Sequence, residues 1–135
     1  CGIYRILVPD GYSHSFIKPS DTIENGNVIN PWPIGRLSAK WVPNTRLVYL
    51  GLAGARSSRS LRKRLNDLIR HGCGKTTDRG PHRGGEILWQ LANYESFILE
   101  VIPTGDPPVP RQLERNLLAA FVRNHGQLPF SNRQL

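Results

Sequence analysis

Two short apolar segments, each carrying a tyrosine and a glycine within three residues, constrain the fold more than any other feature of this chain. The first is Gly2-Ile3-Tyr4, which opens a β-forming run over residues 3–8 that ends at a Pro-Asp-Gly turn signal. The second is Tyr49-Leu50-Gly51, inside a β-forming run over residues 46–52. Because side chains alternate along a strand, two such strands paired antiparallel can present both tyrosines on one face of a sheet.

The rest of the chain predicts helices around this sheet. Residues 12–45 contain four prolines and no sustained period, which predicts an insertion, with a hairpin across Asn25-Gly26 packed by Trp32 and Trp41. The remaining predicted elements are a helix over 60–70, a shorter helix over 86–91, a third strand over 96–102 and a last helix over 111–124 that ends at Gly126. This order predicts a single α+β domain over residues 1–135, with a small, mainly antiparallel three-stranded sheet flanked by helices.

Positive charge is concentrated in one block. The net charge is +8, and residues 46–85 carry ten Lys or Arg against two acidic residues, while the flanking segments nearly balance. Of the 18 basic residues 14 are Arg, whose planar guanidinium suits two parallel hydrogen bonds to a phosphate. The block predicts a nucleic-acid binder rather than a solvated basic face. Its candidate contact residues are Arg56, Arg59, Arg62, Lys63, Arg70, Lys75, Arg79 and Arg83.

Two charged side chains fall on the apolar faces of predicted helices. Arg64 lies on the leucine stripe of the helix over 60–70, and Glu114 lies three residues before Leu117 and four before Leu118. A charge is costly to bury unless it meets an opposite charge. The two can form a structural salt bridge, or they can share a cleft in which Glu114 holds a divalent metal and Arg64 a phosphate.

The tyrosines fit the same cleft. A phenol beside a metal and cationic side chains can act as a base, and Tyr4 and Tyr49 lie on strands that can be neighbours. Each tyrosine taken alone is more simply an amphipathic packing residue.

The order of these residues resembles that of the GIY-YIG nucleases. In that family Gly-Ile-Tyr on a first strand precedes Tyr-Ile/Val-Gly on a second, followed by an Arg on a helix, a Glu on a later helix and a final Asn. This chain fills those places with Tyr4, Tyr49, Arg64, Glu114 and Asn132, and the resemblance covers nearly all of it apart from the insertion. Each tripeptide alone is a weak signal, whereas five elements in order are a specific one.

The resemblance implies metal-dependent hydrolysis of a phosphodiester bond. It implies one Mg²⁺, with Mn²⁺ as a substitute, held by Glu114, and a phosphate clamped by Arg64. It also implies that Tyr49 assists the attacking water as a base, with Tyr4 as its supporting partner. Asn132 would orient the metal–Glu unit or the backbone near it. Some members carry a His between the Arg helix and the third strand, and His82 stands in that place.

The chain departs from the family pattern in three ways. The spacer between the two tripeptides is much longer than in compact members. The loop before Arg64 is also expanded, which leaves Arg62 as a rival for its role. Leu52 stands where many relatives have Lys, and Arg56 or Arg59 can supply that charge instead. Longer loops favour a restriction-type member that reads a particular sequence in double-stranded DNA and acts as a homodimer if it breaks both strands.

Two other functions stay open on the sequence. A metal-independent ribonuclease or toxin domain would use His82, and a non-catalytic nucleic-acid-binding module would pair Arg64 with Glu114. The two cysteines, Cys1 and Cys73, favour a reduced compartment over a disulfide framework. No apolar run is long enough to cross a bilayer. The expected location is the cytoplasm of a prokaryote or a phage-like setting, with a secreted effector domain as the alternative.

Overall fold

The computed structural model describes residues 2–18, 32–53, 87–104 and 109–133. Within them one antiparallel sheet is formed by β1 (Gly2–Leu7), β2 (Leu47–Ala53) and β3 (Ile98–Pro103), in the order β2-β1-β3. Two α-helices accompany the sheet in the described residues, α1 (Ile34–Lys40) and α2 (Val109–His125). The predicted α+β class with a small three-stranded sheet is confirmed.

The pairing of β1 with β2 sets the geometry of the tyrosines. Tyr4 lies opposite Gly51, and Ile6 lies opposite Tyr49. Directly opposed residues of an antiparallel pair share a face. The two tyrosine side chains therefore lie on one face of the sheet, as the spacing of the motifs predicted.

Each face of the sheet has its own apolar core. On one side, which we call the tyrosine face, Tyr4, Ile6 and Tyr49 pack in a cluster with core residues from the loops and from α1 (Trp32, Leu37, Ile87, Leu88, Leu91 and Phe130). On the other side, which we call the α2 face, Ile3 and Leu50 pack against Leu118 of α2. β1 is buried on both sides because it is the central strand.

Helix α1 lies inside the stretch predicted as an irregular insertion. It follows Pro33, whose extended backbone suits the residue just before a helix, and a second proline soon after Trp41 prevents it from continuing. Leu37 is its one buried side chain. Trp32 and Trp41 pack in the core of the tyrosine face, and the hairpin across Asn25-Gly26 that they were predicted to pack lies outside the described residues.

The later elements correct two details of the sequence interpretation. The helix predicted over 86–91 is a 3₁₀ turn at Leu88–Gln90, and a second 3₁₀ turn follows at Tyr94–Ser96. Leu117, predicted to face inward, is 42% exposed. Helix α2 does end where predicted, because Gly126 adopts a positive φ of 79° and donates its N–H to the Val122 carbonyl. Among the described residues, no helix is both long and apolar enough to span a bilayer.

Candidate active site

The two tyrosines form the centre of the candidate site. Their ring centroids are 5.8 Å apart and their planes are tilted by 53°. Tyr4 has no exposed surface, and Tyr49 keeps 7% of its own. Both rings therefore belong to the core, and Tyr49 alone keeps a small accessible area.

Gly51 is required by the position of the Tyr4 ring. A Cβ atom at residue 51 would lie 2.6 Å from the Tyr4 hydroxyl oxygen and closer still to the ring carbon that bears it. That is well below normal van der Waals contact, so only glycine leaves room for the ring across the strand pair. The glycine of one tripeptide and the tyrosine of the other thus form a single packing unit.

Asn132 holds the outer edge of the strand that carries Tyr49. Its side-chain oxygen accepts the Leu50 N–H at 3.0 Å, and its side-chain nitrogen donates to the Leu50 carbonyl at 2.9 Å. The adjacent Ser131 N–H donates to the Val48 carbonyl at 2.8 Å. The C-terminal segment therefore supplies β2 with the hydrogen bonds that a fourth strand would otherwise provide.

Glu114 lies on the inward side of α2. On a helical wheel it falls between Pro110, Leu118 and Phe121, the buried residues of that helix, and its own side chain is partly buried. Burial raises the pKa of its carboxyl above the ordinary value, and the positive charges of two neighbouring arginines, Arg111 and Arg115, oppose the rise. Among the described residues, no carboxylate–cation salt bridge includes Glu114.

The structure does not place Glu114 on the face that carries the tyrosines. Leu118, in the same helix, packs on the α2 face, so the expectation of one open cleft above the sheet is wrong for this carboxylate. The reason is that helical spacing shows which side of a helix is buried but not which face of the sheet it covers.

Glu114 nevertheless lies toward the end of β2 that contains Gly51. The C-terminal half of α2, including His125, lines a cavity of about 280 Å³ together with Leu47 at the start of β2. Glu114 is about 16 Å from His125 along the helix axis, similar to the span of about 17 Å from Leu47 to Leu52. Leu113, next to Glu114, packs against the same cluster as Leu52, so the helix and the strand run in opposite directions and Glu114 and Gly51 lie toward the same end of the sheet.

The described side chains could give a metal ion one protein ligand but not a complete set of ligands. No group of three or more His, Cys, Asp or Glu that could hold a metal ion is found in the described parts of the chain. Mg²⁺ commonly binds through one or two carboxylates and completes its shell with water and substrate phosphate. A single half-buried carboxylate at Glu114 is compatible with that pattern and not with an all-protein metal cage.

Several predicted site residues lie outside the described residues. They include the helix over 60–70 with its phosphate-binding candidate Arg64, and His82. The predicted nucleic-acid contacts are also outside, namely Arg56, Arg59, Arg62, Lys63, Arg70, Lys75, Arg79 and Arg83. The structure therefore brings together Tyr4, Tyr49 and Asn132 and leaves the role of the basic block as a prediction.

The sequence interpretation missed Gln90, which is almost completely buried. Its side-chain oxygen accepts the Trp32 N–H at 2.8 Å, and its side-chain nitrogen donates to the Trp32 carbonyl at 3.0 Å. The backbone of Gln90 also accepts the Ile17 N–H at 2.6 Å. Gln90 thus ties together the two segments that flank residues 19–31. Its signal in the sequence is an amide within an otherwise apolar run, Ile87-Leu88-Trp89-Gln90-Leu91.

Comparison of the chain with protein-family models, with curated proteins and with solved structures found no match. The resemblance to the GIY-YIG nucleases therefore rests on the motif residues themselves and on the order in which they occur.

Proposed function

We propose that this protein is a divalent-metal-dependent endonuclease that hydrolyses phosphodiester bonds in DNA. The observation that carries the proposal is the packing of Tyr4 beside Tyr49 and over Gly51. This arrangement explains why a glycine in one tripeptide accompanies a tyrosine in the other. It also sets two phenol groups side by side.

The two tyrosines have different roles in this proposal. Tyr49, which keeps a small accessible area, assists the removal of a proton from the attacking water. Tyr4 is fully buried and holds the Tyr49 ring in place from the neighbouring strand. In the reaction a new bond forms between the water oxygen and phosphorus, and the bond from phosphorus to the leaving oxygen breaks.

Glu114 is the residue that would hold the metal, and because it lies on the other face of the sheet from the tyrosines it would reach the phosphate from the end of β2 that contains Gly51. Its carboxylate is partly desolvated, which strengthens its attraction to a divalent cation. When bound, Mg²⁺ supplies Lewis-acid stabilisation of charge on the phosphoryl and leaving oxygens. Arg64 would offset the charge that grows on the phosphate, a contribution that can reach several kcal/mol.

DNA is the proposed substrate because of the sign and the distribution of the charge. The chain has a net charge of +8, and that excess is carried almost entirely by residues 46–85. This block begins one residue before β2 and includes the whole strand. A phosphate backbone that binds along this block would pass the strand that carries Tyr49. Sequence-specific, restriction-type cutting by a homodimer is part of the same proposal.

Cleavage of supercoiled plasmid at modest salt, in Mg²⁺ or in EDTA, tests the proposal. We expect cleavage in Mg²⁺ only, a loss of about 10³-fold or more in Glu114→Ala, and a loss of about 10²- to 10⁴-fold in Tyr49→Phe. DNA binding by Glu114→Ala should remain close to that of the unmodified protein. Discrete fragments would point to a sequence-specific enzyme and a smear to a nonspecific one.

Two matched variants control for general damage. Glu95→Ala removes an exposed carboxylate in the second 3₁₀ turn, and Tyr94→Phe removes a phenol hydroxyl outside the site. Both should cut at the normal rate. Intact plasmid under all conditions would refute the proposal for DNA, and cleavage in EDTA would favour the metal-independent alternative that uses His82.

A further inference from the structure

A second group of cations lies outside the predicted basic block. Arg36 and Lys40 belong to α1, and Arg133 follows Asn132 in the C-terminal segment. Both guanidinium groups face the ring of Trp32, with Arg36 3.5 Å and Arg133 5.7 Å from the ring centroid. We call Arg36, Lys40 and Arg133 the α1 basic surface.

Trp32 orients the Arg36 guanidinium. A guanidinium stacked on an indole uses its flat face for the contact, so its N–H donors point outward in the plane of the group. Arg36 is exposed and Trp32 is almost fully buried, so the indole is a fixed platform and the cation lies on its solvent side. A preoriented fork of this kind is suited to a phosphate, which accepts two parallel hydrogen bonds.

The charges of this surface are brought together at a cost. Partial burial lowers the pKa of the Lys40 ammonium, and the positive charge of Arg133 lowers it further. Lys40 donates to the Asn132 carbonyl at 2.6 Å. In the described parts of the chain, the carboxylate salt bridges are Arg5–Glu100 and Arg46–Asp10, and neither involves Arg36 or Lys40. An anionic ligand would offset the repulsion.

The α1 basic surface is directly connected to the candidate active site. Arg133 is the residue after Asn132, whose side chain binds the backbone of Leu50. Leu50 is the residue after Tyr49 in β2. Lys40 donates to the Asn132 carbonyl, so the surface lies beside the outer edge of β2, the strand that carries the candidate base Tyr49.

We propose that Arg36, Lys40 and Arg133 bind the phosphates of a DNA duplex next to the candidate active site. The inference rests on the proposed function, because it takes the phosphodiester backbone as the ligand. It assigns a role to α1 and the C-terminal segment, which the charge distribution along the sequence did not indicate. These contacts would fix the position of the duplex on β2 and would carry no information about its sequence.

The test is the salt dependence of DNA binding by a charge-neutralised variant. Arg36→Gln/Arg133→Gln and Arg36→Gln alone are compared with Arg123→Gln, a control that also removes an exposed arginine but from the end of α2 away from Glu114. The probe is a short fluorescein-labelled duplex of mixed sequence, and anisotropy is measured in EDTA over a range of salt concentrations. The absence of a metal separates binding from cleavage.

The measured quantity is the slope of log Kd against the logarithm of the salt concentration. In the α1 variant we expect this slope to fall by about 0.9 for each lost phosphate contact, or by about 1.8 in all. Its affinity should fall by tens of fold at about 0.1 M salt. The α2 control should keep the slope and lose less than about threefold in affinity. Arg36→Lys/Arg133→Lys, which keeps both charges, should also keep the slope.

Three results would overturn the inference. These are equal weakening by Arg36→Gln and Arg123→Gln, an unchanged slope in the α1 double variant, and no DNA binding by the unmodified protein. If thermal unfolding shows that the α1 double variant does not fold, Arg36→Gln alone carries the test with an expected slope change of about 0.9 units. Binding that depends on this surface without any cleavage would refute the proposed function and leave this inference standing.

Discussion

Replacing Asn132 should destabilise the whole domain, because one side chain satisfies both backbone groups of Leu50. β2 is an edge strand of the described sheet, so the outward N–H and carbonyl of Leu50 have no neighbouring strand to pair with there. The Asn132 amide supplies both partners, at 3.0 and 2.9 Å, and the residue is only 7% exposed. Asn132→Ala removes the donor and the acceptor together.

The expected magnitude follows from the cost of unsatisfied polar groups. Each buried group left without a partner costs about 1–3 kcal/mol. Water that enters at the strand edge would recover part of this, so we expect a total loss of about 2–4 kcal/mol in the free energy of unfolding. For a chain of 135 residues, a loss of about 3 kcal/mol corresponds to a drop in Tm of roughly 10 °C.

Urea unfolding followed by tryptophan fluorescence measures the effect, because Trp32 and Trp41 both report on the packed core. Asn132→Asp is the informative companion, since a carboxylate keeps the acceptor for the Leu50 N–H but sets an oxygen against the Leu50 carbonyl. It should cost at least as much as Asn132→Ala. Asn116→Ala, at an exposed position of α2, should stay within about 0.5 kcal/mol of the unmodified protein. The reasoning would be refuted if the free energy of unfolding of Asn132→Ala were also within about 0.5 kcal/mol of that of the unmodified protein.

Three further predictions concern single side chains. Gly51→Ala should cost about 1–3 kcal/mol because its Cβ would overlap the Tyr4 ring, and an unchanged Tm would show that the ring lies elsewhere. Gln90→Ala should cost about 2–4 kcal/mol because it leaves the Trp32 N–H and carbonyl without partners, and a change below 0.5 kcal/mol in urea unfolding would contradict this. Glu114→Gln, without metal, should stabilise the protein at neutral pH, since a raised carboxyl pKa means that ionisation favours the unfolded chain; the gain should disappear as the pH falls below the ordinary pKa of glutamate. Stabilities of the two proteins that differ by the same amount at all pH values would refute the shift.

The sequence alone predicted the parts of the fold that have a local period. The predicted ends of the three strands and of the long amphipathic helix lie within two residues of the observed ends, with β1 at Gly2–Leu7 and α2 at Val109–His125. The shared face of the two tyrosines also followed from their positions, because an antiparallel pairing of β1 with β2 aligns the two motifs. These features depend on short-range alternation, which the residues themselves encode.

The features that the sequence did not predict depend on contacts between distant segments. Helix α1 has seven residues and one buried side chain, Leu37, so it has too little apolar period to be distinguished from a loop. In the sequence Gln90 is a polar residue in an apolar run. Its hydrogen-bond partner Trp32 is 58 positions away, so no local pattern reveals the contact. The face of the sheet on which Glu114 lies is likewise decided by the packing of Leu118 against β1 and β2.

The dependence of cleavage on Mg²⁺ concentration separates two roles for Asn132. If its amide only holds β2 in place, Asn132→Ala should lower kcat for the folded enzyme, because Tyr49 loses its position, while the half-saturating Mg²⁺ concentration stays within about twofold. If Asn132 orients the metal–Glu114 unit, that concentration should rise, as it should in Glu114→Asp, where the carboxylate is retained on a shorter side chain. The structure favours the first outcome, since both polar atoms of the side chain are used by Leu50. A rise in the Mg²⁺ requirement comparable to that of Glu114→Asp would show that Asn132 acts on the metal, and the role of positioning β2 would then be wrong.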